Sequence, residues 1–200
     1  LHMLPPVLTR FRKEHPLGEL QVSNHGSKAI LDMILRREAD LGIVTRPPYL
    51  DGALWSRTLL EDPLVLALPR KHPLVERKRV TMPSLKGETA VLLAKPAETR
   101  YLIDRGLRET GVDLTVVMES GNLEVVKAYV ADGLGLSLLP RMGITPRDRE
   151  RMVLKPVPPS FPRRRLALVR RKDRVPGLLA SDLLRLLAER FRGSDEGPTR

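Results

Sequence analysis

The chain reads as an α/β protein made of two Rossmann-like subdomains joined by two crossover strands, and three observations predict it. Residues 115–140, TVVMESGNLEVVKAYVADGLGLSLLP, spell strand, helix, strand. The same order, with a polar turn before the helix, is spelled earlier between Leu20 and Val44. Proline-marked breaks at Pro69 to Pro73 and at Pro156 to Pro162 bracket one complete unit of this kind, because proline interrupts a central strand.

The 115–140 stretch carries the clearest signals. Thr115 to Met118 is β-branched and apolar, and Leu136 to Leu139 is a second apolar run closed by Pro140, so both read as buried strands. Asn122 is placed to cap a helix with Glu124 in its first turn, and Gly133 and Gly135 stop that helix after Asp132. Leu123, Val126 and Val130 share one helical face. A strand–helix–strand crossover of this kind joins parallel strands and puts the helix N-terminus at the carboxyl edge of the sheet, where free N–H groups and ligands meet.

In chain order, Leu4, Val7, Leu8 and Phe11 recur at helical spacing over residues 3–15, with Pro5 and Pro6 in the first turn and His15-Pro16 as the stop. Leu20 to Val22 reads as a short strand. The polar turn Ser23 to Ser27 leads into a helix over Lys28 to Arg37, with Ser27 as its expected cap and Ile30, Leu31, Ile34 and Leu35 as its stripe. Ala39 to Val44 is a strand. Leu54 to Leu60 and Leu64 to Leu68 read as strands around a Glu61-Asp62-Pro63 turn, and Ala90 to Leu93 as another buried strand. Arg100 to Thr110 is a helix stopped by Gly111. After the second proline segment come a strand at Leu166 to Val169 and a helix over Leu178 to Phe191, with a polar tail from Gly193.

Composition narrows the function classes. With 42% hydrophobic and 30% charged residues the 200-residue chain can bury a core, and no apolar run nears the length of a membrane span. Zero cysteines exclude disulfides and thiolate metal sites, and the four scattered histidines show no ligand spacing. No metal and no cofactor are expected. The net charge of +11 is spread along the chain except for the cluster Arg163, Arg164, Arg165, Arg170, Arg171, Lys172 and Arg174, which reads as a solvated face. Aromatic residues at 4% are too few to build a base-stacking surface with it.

Three pieces together resemble the effector-binding domain of LysR-type transcriptional regulators: LPPVLTRFRKEHP near the start; Glu38 to Ile43 followed later by Arg70-Lys71-His72-Pro73-Leu74; and Ala131-Asp132-Gly133-Leu134-Gly135-Leu136-Ser137-Leu138-Leu139-Pro140. The resemblance covers nearly the whole chain. It implies a fold similar to type II periplasmic binding proteins, a small-molecule effector in the cleft between subdomains, and a cytoplasmic homodimer or homotetramer paired through the Lys28 to Arg37 helix. The boundaries expected are 1–69 with 166–200 for subdomain I and 70–165 for subdomain II. Two features of the family are missing from the sequence: the winged helix-turn-helix that would precede it, and the central first strand with its Ser/Thr loop. DNA contact is therefore expected only through that absent segment, and no membrane contact is expected.

Rival chemistries find little support. Gly133 and Gly135 follow a helix and precede a strand, the reverse of the dinucleotide fingerprint. His25-Gly26-Ser27 lacks the second glycine of a nucleophile elbow, because position 29 is Ala29. No carboxylate pair sits where one would be kept protonated, so no catalytic residues are assigned and an enzyme is not expected. A free-standing solute-binding protein is the alternative, disfavoured by the lack of a signal peptide and a lipid-attachment cysteine. The candidate effector set lies on the loops at the carboxyl edges of the strands: Ser23, Asn24, His25, Gly26, Ser27 and Thr45 in the first subdomain, and Lys95, Pro96, Glu98, Thr99, Ser120, Gly121 and Asn122 in the second. Plain helix capping is the competing explanation for Ser120 and Asn122. Three helix N-termini and Lys95 favour a small anion, while Glu98 would repel it unless paired with Arg100.

Overall fold

The computed structural model describes residues 4–191. The chain forms two compact units, one running to Glu61 and resuming at Arg165, the other spanning Asp62–Arg164.

In the second unit, β3 (Leu64–Pro69), β4 (Thr89–Leu93), β5 (Thr115–Ser120), β6 (Ser137–Pro140) and β7 (Met152–Pro156) lie side by side in the order β5-β4-β6-β3-β7. β4 pairs with β5 in parallel, and a parallel bridge between Ala90 and Leu136 joins β4 to the approach of β6. β3 runs antiparallel to both β6 and β7. The helix α3 (Glu98–Glu109) links β4 to β5, and α4 (Leu123–Ala131) links β5 to β6.

The inner strands β3, β4 and β6 feed both faces of this sheet. Leu64, Leu66, Leu68, Ala90, Leu92, Leu136 and Leu138 pack with Ile103 and Leu107 of α3, whereas Ala67, Val91, Leu93 and Leu139 pack with Val126 and Val130 of α4. Neighbouring residues along a strand thus serve opposite cores, which is why these strands read as continuous apolar runs.

The boundary expected at Pro69 is corrected. β3, with Leu66, shares a sheet with Val91, Val117 and Leu138, so the chain passes between units at Glu61 and Asp62 rather than at Pro69 to Pro73. Pro69 and Pro156 are the terminal residues of β3 and β7, positions where a missing N–H costs the ladder little. The second passage falls between Arg164 and Arg165. A short helix α5 (Pro146–Arg151) and β7 were not anticipated, although Thr145 and Asp148 form a capping box with proline in the first turn. Met82–Leu85 is a 3-10 turn.

The first unit holds β1 (Gly42–Thr45), β2 (Leu54–Asp62) and β8 (Arg164–Arg171) in the order β1-β8-β2, with β1 antiparallel to β8. Only the last residue of β2 and the first of β8 belong to the other unit. α2 (Ser27–Leu35) lays Ile30 and Ile34 on Val44, Leu54 and Val169. α1 (Leu4–Glu14) and α6 (Leu178–Phe191) pack together, burying Val7, Phe11, Leu186, Leu187 and Phe191, and Arg10–Glu189 and Arg185–Glu14 ion pairs at 2.9 and 3.2 Å tie their polar sides. Leu20 to Val22 is not a strand: among the described residues it has no ladder partner, and Val22 is 55% exposed.

Gly133, at φ +93°, ends α4 in the left-handed region. Gly135 has a different task, since a Cβ there would meet the Thr89 carbonyl oxygen at 2.7 Å. Gly135→Ala is expected to destabilise the domain by about 1–3 kcal/mol through overpacking. An unchanged thermal midpoint would show that β6 can withdraw from β4 at no cost.

Candidate functional site

The carboxyl ends of β4 and β5 lie side by side, and the Ala94 N–H donates to the Ser120 carbonyl at 2.9 Å, tying their loops together. The β4 loop turns through a cis Lys95–Pro96 bond into α3. No side chain caps α3, because its N-cap is Ala97, and Glu98 occupies the first turn. The β5 loop is self-sufficient. The Ser120 hydroxyl accepts from the Asn122 N–H at 3.1 Å, and the Asn122 side-chain oxygen accepts from the Glu124 N–H at 2.9 Å. Capping therefore accounts for Ser120 and for that oxygen of Asn122 without a ligand.

Three cations stand around the first turns of α3. Lys95 is 58% exposed, with its Nζ 3.5 Å from Asp104 and 5.9 Å from the centre of the Tyr101 ring. Arg100 is buried and saturated, donating to the Leu93 carbonyl at 2.9 Å and to the carboxylates of Asp104 and Glu119. Burial pulls its pKa down, but those two acids more than restore it. The rescue envisaged for Glu98 does not occur: these acids, not Glu98, are the side-chain partners of Arg100.

Arg164 is the third cation, and it is not part of a solvated face as the basic run suggests. Its Nη1 lies 3.4 Å from the buried Thr99 hydroxyl and its Nη2 3.1 Å from Asp62 Oδ2. Asp62 is 1% exposed, and its Oδ1 accepts from the Met142 N–H at 3.0 Å. The ion pair is poorly aligned, since neither Asp62 Oδ2 nor Arg164 Nε has a hydrogen-bond partner. Burial pushes the Asp62 carboxyl up despite the charge of Arg164, and lowers Arg164 despite Asp62. Strand alternation could have flagged one inward arginine among Arg163, Arg164 and Arg165.

In the first unit the expected cap is corrected. Gly26 is the N-cap of α2 and supplies no side chain, while Ser27 is the first helical residue and its hydroxyl accepts from the Thr45 N–H at 3.2 Å. Ser27 and buried Thr45 are thus brought together, and Ser23, Asn24, His25 and Gly26 are exposed along the approach to α2. A separate groove of about 350 Å³ in this unit is lined by Arg37, Asp40, Arg170, Arg174 and Leu178. Its arginines are engaged, Arg174 with Asp40 and Arg170 over the Trp55 ring at 4.8 Å. Among the described residues no cluster of His, Asp or Glu is placed to hold a metal, and no helix is long and apolar enough to cross a membrane.

Two α/β units, the second with helix N-termini at the carboxyl ends of its parallel strands, belong to a fold of the type II periplasmic-binding-protein kind. The chain belongs to the LysR substrate binding domain family, whose profile matches residues 1–192. It is 29% identical to the HTH-type transcriptional regulator AlsR of Bacillus subtilis over 68% of this chain and 46% of that protein. It is 28% identical to YfeR of Shigella flexneri over 86% of this chain and 56% of that one. The chain thus spans about half the length of the curated relatives it matches. Among solved structures, the Synechocystis CcmR regulatory domain in complex with 2-PG has a TM-score of 0.85 at 23% identity, covering 96% of this chain and 92% of that one. The effector binding domain of QuiR in complex with shikimate has a TM-score of 0.84 at 15% identity, covering 96% and 91%. At these identities the structural likeness is one of fold.

The helix whose N-terminus faces the β5 loop is anchored by a second, better satisfied ion pair. Lys127 Nζ donates to Asp148 at 2.7 Å and to the Gly143 carbonyl at 3.0 Å, and the Thr145 N–H and hydroxyl donate to the same carboxylate. Burial alone would raise Asp148, but these bonds hold it below the usual carboxylate range; Lys127, disfavoured by burial, is raised by Asp148 and Glu124. A carboxyl lowered by folding contributes fully above its unfolded value and loses that contribution as pH falls through the folded value. Lys127 contributes fully below its unfolded value and loses it only as pH rises through the higher folded one. The thermal midpoint of the wild type should therefore fall more steeply than that of Asp148→Asn between about pH 5 and 2. Parallel curves would show that Asp148 carries no acid-labile stability.

Proposed function

We propose that this chain is the effector-sensing part of a LysR-type transcriptional regulator and that its effector is a small anion. The observation that carries the anionic reading is the pair of helices, α2 and α3, that start at Gly26 and Ala97 without a side-chain cap. Their N–H groups and positive dipole ends favour negative charge. Thr99, Lys95, Pro96, Ser120, Gly121 and Asn122 in one unit, and Ser23 to Ser27 with Thr45 in the other, are the residues proposed to meet it. Glu98 is the residue that opposes an anion and would have to turn outward. The regulators among the relatives, the 2-PG held by CcmR and the shikimate held by QuiR support the reading. DNA recognition is assigned to the winged helix-turn-helix that the family implies, the location to the cytoplasm, and no catalytic activity is assigned.

Calorimetry with 2-PG and with shikimate tests this. A hydrogen bond to a charged ligand is worth about 1.5–3 kcal/mol, so Thr99→Ala should weaken binding roughly tenfold or more. Asn122→Ala should also lower thermal stability by about 1 kcal/mol, because it removes the cap of α4. Unchanged affinity in both would restrict these residues to holding helices.

Self-association as a homodimer or homotetramer, with α2 of one copy against the second unit of another, is supported by the character of β5. It is an edge strand on which Val116 and Val117 are 39% and 50% exposed, a surface that isolated domains rarely leave open. Sedimentation should show at least a dimer for the wild type and a shift toward monomer for Val117→Lys. A wild type that stays monomeric at high concentration would refute the pairing.

A further inference from the structure

We propose that Arg164 is the side chain that receives the effector's anionic group and that Asp62 is its resident counter-ion, released when the effector binds. This rests on the anionic-effector reading. Lys95 and Arg100 are poor alternatives: Lys95 is largely in solvent beside Asp104, and Arg100 is occupied by one carbonyl and two carboxylates. Arg164 stands instead against Thr99, in the uncapped first turn of α3, with its side chain 17% exposed.

Its tie to Asp62 is also the one most readily exchanged. A guanidinium offers five N–H donors in a fork that fits a carboxylate or phosphate in two parallel bonds. Asp62 does not use that fork, as the 3.1 Å approach leaves its own Oδ2 and Arg164 Nε without a hydrogen bond. A ligand carboxylate that aligned with the fork would replace a misaligned partner with an aligned one. Asp62 would keep the Met142 N–H.

The exchange has a route outward. Asp62 ends β2 and Arg164 begins β8, and the chain passes between its two units just before Asp62 and just after Arg164. β2 and β8 are neighbours in the sheet of the first unit. A change of partner at their ends is therefore applied directly to both connecting strands, which suits a two-state element biased by ligand.

The test is calorimetry on the whole chain with 2-PG, shikimate and inorganic phosphate as probes, for the wild type, Asp62→Asn, Arg164→Lys and Arg164→Met. Asp62→Asn keeps the shape and the acceptor for Met142 but removes the competing charge, so it should tighten anion binding about tenfold. Arg164→Met should abolish binding and Arg164→Lys should weaken it. Should Arg164→Met fail to fold, Asp62→Asn and Arg164→Lys still decide. If Asp62 merely braces the loop, Asp62→Asn will weaken binding or leave it unchanged while the wild type binds an anion, and the counter-ion role falls alone. If neither the wild type nor Asp62→Asn binds any of the three anions, the anionic-effector reading falls and takes this role with it.

Discussion

The second unit depends on one close approach of two backbones. Without the pair of hydrogen bonds between Val91 N–H and the Leu136 carbonyl and between Leu136 N–H and the Thr89 carbonyl, each 2.9 Å, β4-β5 and β6-β3-β7 would be separate ribbons. Gly135 permits that approach, since any side chain there would sit on the Thr89 carbonyl. A two-stranded parallel ribbon has little independent stability. Joined to its neighbours, it becomes one end of a five-stranded sheet with a helix on either face, and each face gains a core.

The position of the site follows from that join. Because β5 and β6 both run parallel to β4, the helices that return the chain begin on the same edge of the sheet. A Rossmann-like half therefore presents helix N-termini together whether or not a ligand is needed, and the chemistry is decided by what each terminus does with its N–H groups. α4 spends a side chain on its own terminus through Asn122, and α3 does not. A capped terminus is a structural element. An uncapped one, set beside a buried threonine and an under-used arginine, is the part of the edge with binding capacity to spare.

The helices and buried strands were legible in the sequence because their signals are local. The stripe of α6, the cap and glycine stop of α4 and the apolar runs of β4 and β6 are each read within one window. The passage at Glu61-Asp62-Pro63 was not legible, because an Asp-Pro step between two apolar runs looks like a hairpin. Only long-range pairing, β2 beside β8 and β3 beside β6 and β7, shows that the two runs belong to different sheets. The same limit hid Arg164. One arginine of three turns inward because a carboxylate distant in sequence awaits it, and composition averages that residue into a basic surface. Ser27 differs for a smaller reason: Gly26 and Ser27 are both acceptable caps, and the Ser27 hydroxyl is taken up by the Thr45 N–H at the end of β1 instead of by its own helix.

The two buried ion pairs of the second unit show why a satisfied and an unsatisfied pair suit different purposes. Lys127 is held by Asp148, Glu124 and the Gly143 carbonyl, and Asp148 Oδ2 accepts from Lys127 and twice from Thr145, so breaking the pair would strand well-bonded charges. Such a pair specifies one arrangement of α4 and α5 and resists change. Asp62 and Arg164 are desolvated at least as severely yet recover less, and removing charge from water without full compensation costs several kcal/mol per ion. A rigid scaffold would gain by replacing them with apolar residues of similar volume. Their presence where the chain enters and leaves the unit is easier to understand if the unrecovered part of that cost is what a better-aligned anion can reclaim. In that case the stability forgone at Asp62 and Arg164 is the free-energy difference available to bias the connecting strands, and the saturated pair under α4 keeps the rest of the unit from yielding with them.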